Sequence, residues 1–173
     1  MKPIFPAAAM LISLLLSGCA SRPPLTTVPS VDLNRYTGRW YEIAKYPNFF
    51  QRNCAGNTTA EYSAKPDGSI GVVNQSTGKN GKPMRVAGTA KVVPGSNNTK
   101  LNVRFGGPVS GAYWVIGLDE KNYSWAVVGH PSRQFLWILA REPKLPAATY
   151  QQILAVVAER GYDTARLEST PQK

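Results

Sequence analysis

The sequence predicts an all-β chain with one helix: an eight-stranded antiparallel up-and-down barrel with a C-terminal α-helix packed outside. Three features predict it. From residue 38 onward apolar residues mostly alternate with polar ones, the period of a half-buried strand, over eight separate stretches. Glycine (15) and proline (14) are plentiful and spread along the length, as turns between many short strands require. Eight meandering strands leave exposed edges in an open sheet, and closing the sheet on itself removes them.

The strand-like stretches fall at about 39–46, 57–63, 69–77, 84–93, 99–106, 111–118, 123–129 and 134–141. Lys65-Pro66-Asp67-Gly68, Gly78-Lys79-Asn80-Gly81 and Pro94-Gly95-Ser96-Asn97 supply turns between them. The period then changes. Tyr150, Ile153, Leu154 and Val157 recur at helical spacing, with Pro146 suited to the first turn and Gly161 to the end. A short final strand follows near 164–169.

The length of 173 residues suits one domain with a sizeable core. Hydrophobic residues at 43% against 17% charged exclude disorder for the bulk of it. The net charge is +10, but Lys and Arg are scattered among apolar residues, which fits a solvated barrel exterior. A nucleic-acid footprint would be a patch or stripe, so no nucleic-acid partner is expected. An anionic membrane surface is a secondary target for so basic a chain.

Residues 1–18 read as a secretory signal, with Lys2 as the positive region and Phe5 to Leu16 as an apolar run too short for a comfortable membrane span. The run ends in Leu16-Ser17-Gly18-Cys19, which resembles the bacterial lipoprotein box. That resemblance implies a diacylglyceryl thioether on Cys19, cleavage before it and a third acyl chain on the new amino group. Several acyl chains anchor firmly, since each buried methylene contributes about 0.8 kcal/mol. Residue 20 is Ala, and without the Asp that favours inner-membrane retention in enteric-type sorting, the outer membrane is expected. Residues 19–30 then form a lipidated N-terminus and a flexible Pro-rich tether, and residues 31–173 the folded domain.

Three motifs stand in order along that domain. They are Gly38-Arg39-Trp40-Tyr41-Glu42-Ile43-Ala44, then Leu118-Asp119-Glu120-Lys121-Asn122-Tyr123, then Leu136-Trp137-Ile138-Leu139-Ala140-Arg141-Glu142-Pro143. Their order resembles the lipocalin family, and within it the bacterial outer-membrane lipoprotein lipocalins related to apolipoprotein D. The second motif departs from the compact Thr-Asp-Tyr form and keeps only Asp119 and Tyr123. The resemblance implies that Trp40 plugs the closed end of the barrel beside Gly38, with Arg141 packed across it as a structural cap.

Alternation from Trp40 and Arg141 assigns an interior. With Trp40 inward, Ala44 and Tyr46 follow; with Arg141 inward, Leu139, Trp137 and Phe135 follow. Extended along the other strands, it places Tyr62, Val72, Gly88, Val103, Phe105, Tyr113, Val115, Trp125 and Val127 in a ligand cavity, together with Ala60, Ile70, Val86, Ala90 and Leu101. Glu42 shares Trp40's parity and needs a partner, with Arg141, another inward cation or a Tyr hydroxyl as candidates.

Catalytic chemistry is sparse. His130 is a lone histidine, which makes no metal set and no triad, and there is no nucleophile elbow or phosphate loop. Cys54 lies in the loop after the first strand and reads as an inert thiol. No cofactor, no metal and no enzyme activity are expected. The partners expected are one small apolar ligand, such as a fatty acid or lysophospholipid, and the membrane through the anchor; a homodimer is left open. The competing reading is an envelope stress lipoprotein with a filled barrel. A third, an isomerase or a thiol peroxidase using Cys54, needs a constellation the sequence does not offer.

Overall fold

The eight alternating stretches form eight antiparallel strands that close on themselves. A computed structural model describes residues 22–108 and 110–173. The expected signal peptide at 1–18 and the expected lipid attachment at Cys19 lie outside the described residues. The strands are β1 (Gly38–Lys45), β2 (Cys54–Ala64), β3 (Ile70–Gly78), β4 (Pro83–Val92), β5 (Lys100–Arg104), β6 (Gly111–Leu118), β7 (Trp125–Gly129) and β8 (Leu136–Ala140). Each pairs with the next, and β1 pairs with both β8 and β2. A four-residue helix, α1 (Leu33–Tyr36), precedes β1 at the closed end. Asp32 caps it, accepting from the Asn34 and Arg35 amides. One turn has no period to read, so alternation along the chain does not announce it.

The chain ends in α2 (Ala147–Glu159) and a two-residue strand, β9 (Glu168–Ser169), beside β1. Pro146 stands at the N-cap of α2, and Gly161 takes a φ of +77° just past its end, where the Gly161 and Tyr162 amides bond the last carbonyls. Direct β1–β2 pairing runs only from Gly38↔Tyr62 to Tyr41↔Thr59. Beyond it the C-terminal tail fills the seam, with the Thr170 amide bonded to the Ile43 carbonyl at 2.9 Å and the Asn57 amide to the Pro171 carbonyl at 2.7 Å.

Two bulges correct the assigned interior. Between Glu42 and Ala44 strand β1 advances two residues while β8 advances one, from Leu139 to Ile138. Side-chain parity therefore reverses, and Ala44 and Tyr46 turn out of the barrel to pack under α2. A second bulge lies between Val115 and Gly117 on β6, opposite Val128 and Val127. On β7 it is Ala126 and Val128 that face inward, while Trp125 and Val127 face the helix. Alternation could not choose for β7 because both its faces are buried, one inside the barrel and one beneath α2.

Two apolar clusters result. The inner one gathers Trp40, Val115, Leu118, Tyr123, Val128 and Leu139 at the closed end. The outer one joins Ile116, Val127, Leu136 and Ile138 to Ile153 and Val157 of α2. Residues 23–31 belong to this packing and are not a free tether. Leu25, Val28 and Val31 are buried, the Val28 amide bonds the Val115 carbonyl at 3.0 Å, and the Val31 amide bonds the Asn97 carbonyl at 3.0 Å. Each such side chain contributes about 1.5–3 kcal/mol when fully buried, enough to hold an extended segment against the barrel. Every buried apolar side chain among the described residues lies between Leu25 and Tyr162, so the chain from residue 20 onward includes all of the described core.

Candidate ligand-binding cavity

The closed end is built around Arg141. Its guanidinium lies 3.9 Å from the Trp40 ring centroid. Nη1 donates to the Arg39 carbonyl at 2.9 Å, and Nη2 donates to the carbonyls of Arg35 and Thr37 at 2.6 and 2.9 Å. Trp40 is fully buried and donates from Nε1 to the Tyr36 carbonyl at 2.8 Å. A Cβ on Gly38, which has a φ of +90°, would press on the guanidinium at 3.4 Å. Arg35 covers Tyr123 in the same manner, 4.0 Å from the ring centroid, and Tyr123 accepts from the Asp32 amide. One face of the barrel end is thus sealed by two arginine–aromatic stacks.

Above this seal three tyrosines make a floor. The Tyr113 hydroxyl bonds those of Tyr36 and Tyr62 at 2.8 and 2.9 Å. Burial pushes the Tyr62 hydroxyl up to about 12 and holds those of Tyr36 and Tyr113 well above the ordinary tyrosine value, so all three stay protonated.

Over the floor the barrel opens into a cavity of about 640 Å³. Tyr62, Val72, Val103, Tyr113 and Leu139 line its apolar depth; Val86, Met84, Phe105, Phe50 and Trp137 line its upper part. One wall is polar, carrying Glu42, Gln51, Thr58 and Asn74. Glu42 is 3% exposed. Its carboxyl accepts from Thr170 Oγ1 at 2.6 Å and from Gln51 Nε2 at 2.7 Å. The Arg141 partner considered from sequence is excluded, since Arg141 spends its donors on the closed end. Thr58 Oγ1 and Asn74 Oδ1 are buried on this wall with no hydrogen-bond partner among the described residues.

Burial holds the Glu42 carboxyl above the ordinary glutamate value, and the bonds from Thr170 and Gln51 only partly oppose this. The folded chain therefore binds that proton more tightly than the unfolded chain. The stability it contributes is full below the ordinary glutamate value and is lost as pH rises through the raised folded value. Glu42→Gln can keep both hydrogen bonds without the titration. Its melting temperature minus that of the wild type is expected to grow as pH rises from acid to neutral. Parallel pH profiles would show that the buried carboxyl titrates as an ordinary one.

Of the residues assigned to the cavity from sequence, Tyr62, Val72, Val103, Phe105, Tyr113 and Trp137 do line it. Val115 points inward but is packed into the floor. Phe135 stacks on Trp137 at 6.2 Å and on Phe50 at 5.5 Å, beside the rim. Gly88 lies opposite Val72 on the inner face, yet it leaves no open space. A Cβ there would fall on the Arg104 carbonyl oxygen and 2.6 Å from a Phe105 ring carbon. Cys54 begins β2 and borders the mouth, accepting from Ser76 Oγ at 3.2 Å. His130 lies in the β7–β8 loop against Phe135, as a mouth-loop residue.

A family model described as a lipocalin-like domain matches residues 31–172. The chain is a lipocalin. It is 38% identical to outer membrane lipoprotein Blc of Vibrio cholerae serotype O1, over 96% of each chain. It is 41% identical to temperature-induced lipocalin-1 of Arabidopsis thaliana, over 86% of this chain and 83% of that one. Mouse apolipoprotein D is 34% identical over 91% and 84%. The solved structure of insecticyanin from the tobacco hornworm Manduca sexta superposes with a TM-score of 0.71 at 24% identity, covering 87% of this chain and 86% of that one. These relatives place the lipocalin in the Blc type. Its polar wall went unread from sequence, since Gln51 sits in an irregular loop and Thr58 and Asn74, although they share the inward parity of Ala60 and Val72, are polar and were not carried into the assigned lining.

Proposed function

We propose that this lipocalin carries a single-chain lipid, a fatty acid or a lysophospholipid, with the chain in the barrel and the headgroup at the mouth, and that an acylated Cys19 anchors it in a bacterial outer membrane. The observation that carries the reading is the 640 Å³ cavity, closed below by the Arg141–Trp40 cap and open above. A cavity of this size falls in the range of small-molecule sites and suits one chain. It also favours cargo over the filled-barrel alternative. Exposed Arg85 lines the upper rim, where an anionic headgroup meets a cation, whereas the deep wall offers only Glu42 and neutral groups. That the named Blc relatives are outer membrane lipoproteins supports the location.

Titration of the chain from residue 20 onward with lysophospholipid and with fatty acid tests the cargo. Saturable binding at micromolar Kd or tighter is expected, about −8 kcal/mol. Trp137 lines the cavity and reports the event, so Trp137→Phe should remove most of the fluorescence change. No saturable binding of either lipid would return the filled-barrel reading. The anchor is tested separately: Cys19→Ser in the full chain should accumulate as an uncleaved precursor without acyl label, and normal acylation of that variant would refute the anchor.

A further inference from the structure

We propose that the mouth of the barrel is a docking surface for an anionic phospholipid bilayer, so that the cavity opens onto lipid. The first observation is where apolar surface is exposed. Among the described residues the exposed large apolar side chains are Phe49 at 71%, Phe50 at 52%, Val86, Phe105 and Met84. All five border the cavity opening, and they come from three separate mouth segments. Aromatic side chains displayed in this way sit favourably at the headgroup level of a bilayer. A rigid protein partner would have to plug the opening beneath them, whereas lipid chains continue into it.

Charge is the second observation. Arg52, Lys79, Lys82, Arg85 and Arg104 are all exposed around the same opening. The ion pairs among the described residues are Arg39–Glu61 and Lys45–Glu168, so none of these five is in one. Residues 46–60, 75–88, 103–108 and 110–113, which form the mouth on three sides, contain no Asp or Glu. The loops at the closed end differ, carrying Asp32, Asp67, Asp119, Glu120 and Glu142. The basic charge that looks scattered along the chain is therefore unopposed on three sides of the mouth, the fourth carrying Glu168 paired with Lys45, and it complements an anionic headgroup layer.

A third observation concerns the direction of the chain. Arg133, in the β7–β8 loop at the mouth, donates from Nη2 to the Pro23 carbonyl at 2.9 Å. Cys19 lies four residues before Pro23, a reach of at most about 14 Å. A lipid anchor at Cys19 would thus hold the mouth, and not the closed end, toward the bilayer. This last point rests on the anchor proposed above; the first two stand without it.

The test uses the chain from residue 20 onward, which lacks the anchor, with vesicles of mixed phosphatidylglycerol and phosphatidylcholine and with vesicles of phosphatidylcholine alone. Sedimentation with the mixed vesicles only is expected, falling as salt is raised. Lys79→Glu with Lys82→Glu should lower partition by about tenfold or more. These lysines lie outside the cavity lining, so lysophospholipid affinity in solution should not change. In Phe49→Trp, brominated lipid should quench the new tryptophan. Equal partition to both vesicle types, indifference to salt, or no quenching of Phe49→Trp would overturn the docking surface. If docking fails while lysophospholipid still binds, the cargo reading survives; if docking holds without binding, only the cargo reading fails.

Discussion

Arg141→Ala is expected to lower stability by about 3 kcal/mol, a fall in melting temperature of roughly 6–12 °C for a domain of this size. The side chain does four things at once. It covers the fully buried Trp40 ring, and it satisfies the carbonyls of Arg35, Thr37 and Arg39, which fix α1 across the end of the barrel. A cation–π contact of this kind contributes up to about 2 kcal/mol when desolvated, and hydrogen bonds from a charged donor about 1.5–3 kcal/mol each. These do not add, since the truncated site relaxes and water reaches the carbonyls on the exposed side. Arg141→Lys should recover less than half of the loss. It restores the charge but not the planar fork that serves three carbonyls together. An unchanged melting temperature for Arg141→Ala, followed by circular dichroism, would remove the cap from the account of stability.

Val86→Trp is expected to weaken lysophospholipid binding at least tenfold while leaving the melting temperature nearly unchanged. Val86 faces Asn74 across β3–β4, lines the cavity and is 45% exposed, so the larger ring has existing space to enter. The cost to stability should be within about 0.5 kcal/mol. Binding depends on the methylenes the cavity covers, each contributing roughly 0.8 kcal/mol, so excluding two of them already exceeds the 1.4 kcal/mol of a tenfold change. Gly88 would be the natural position to enlarge from its sequence alone, but it is the wrong one. Any side chain there meets the Arg104 backbone, and the variant would move β5 and obscure the binding result. Full affinity in Val86→Trp, titrated through Trp137 displacement or calorimetry, would place the ligand outside the cavity.

The contrast between Gly88 and Val86 shows where reading along the chain stopped. Strand number, turn positions and the one long helix were legible because each rests on local periods, and the Trp40–Arg141 cap followed from the resemblance of the ordered motifs to the lipocalin family. Tyr62, Val72, Val103, Tyr113 and Trp137 were placed on the correct face for the same reason: no bulge separates them from the residues that set their parity. Ala44 and Tyr46 failed just past a bulge, and Trp125 and Val127 failed on a strand buried on both sides.

Register, a single inserted residue and the cover supplied by a distant helix are properties of paired elements, and no stretch of chain contains them alone. Glu42 makes the same point in chemical terms. Its inward direction follows from Trp40 two residues before it, yet its partners are Gln51 in an irregular loop and Thr170 in the C-terminal tail, 128 residues away. The sequence by itself determined a closed β-barrel through alternation, and its arginine–tryptophan plug through the likeness of three ordered motifs to the lipocalin family. Only the tertiary structure decided which inward residues meet open space, that residues 23–31 pack on the barrel, and that unpaired cations gather on three sides of its mouth, because these follow from which elements the closed sheet brings together.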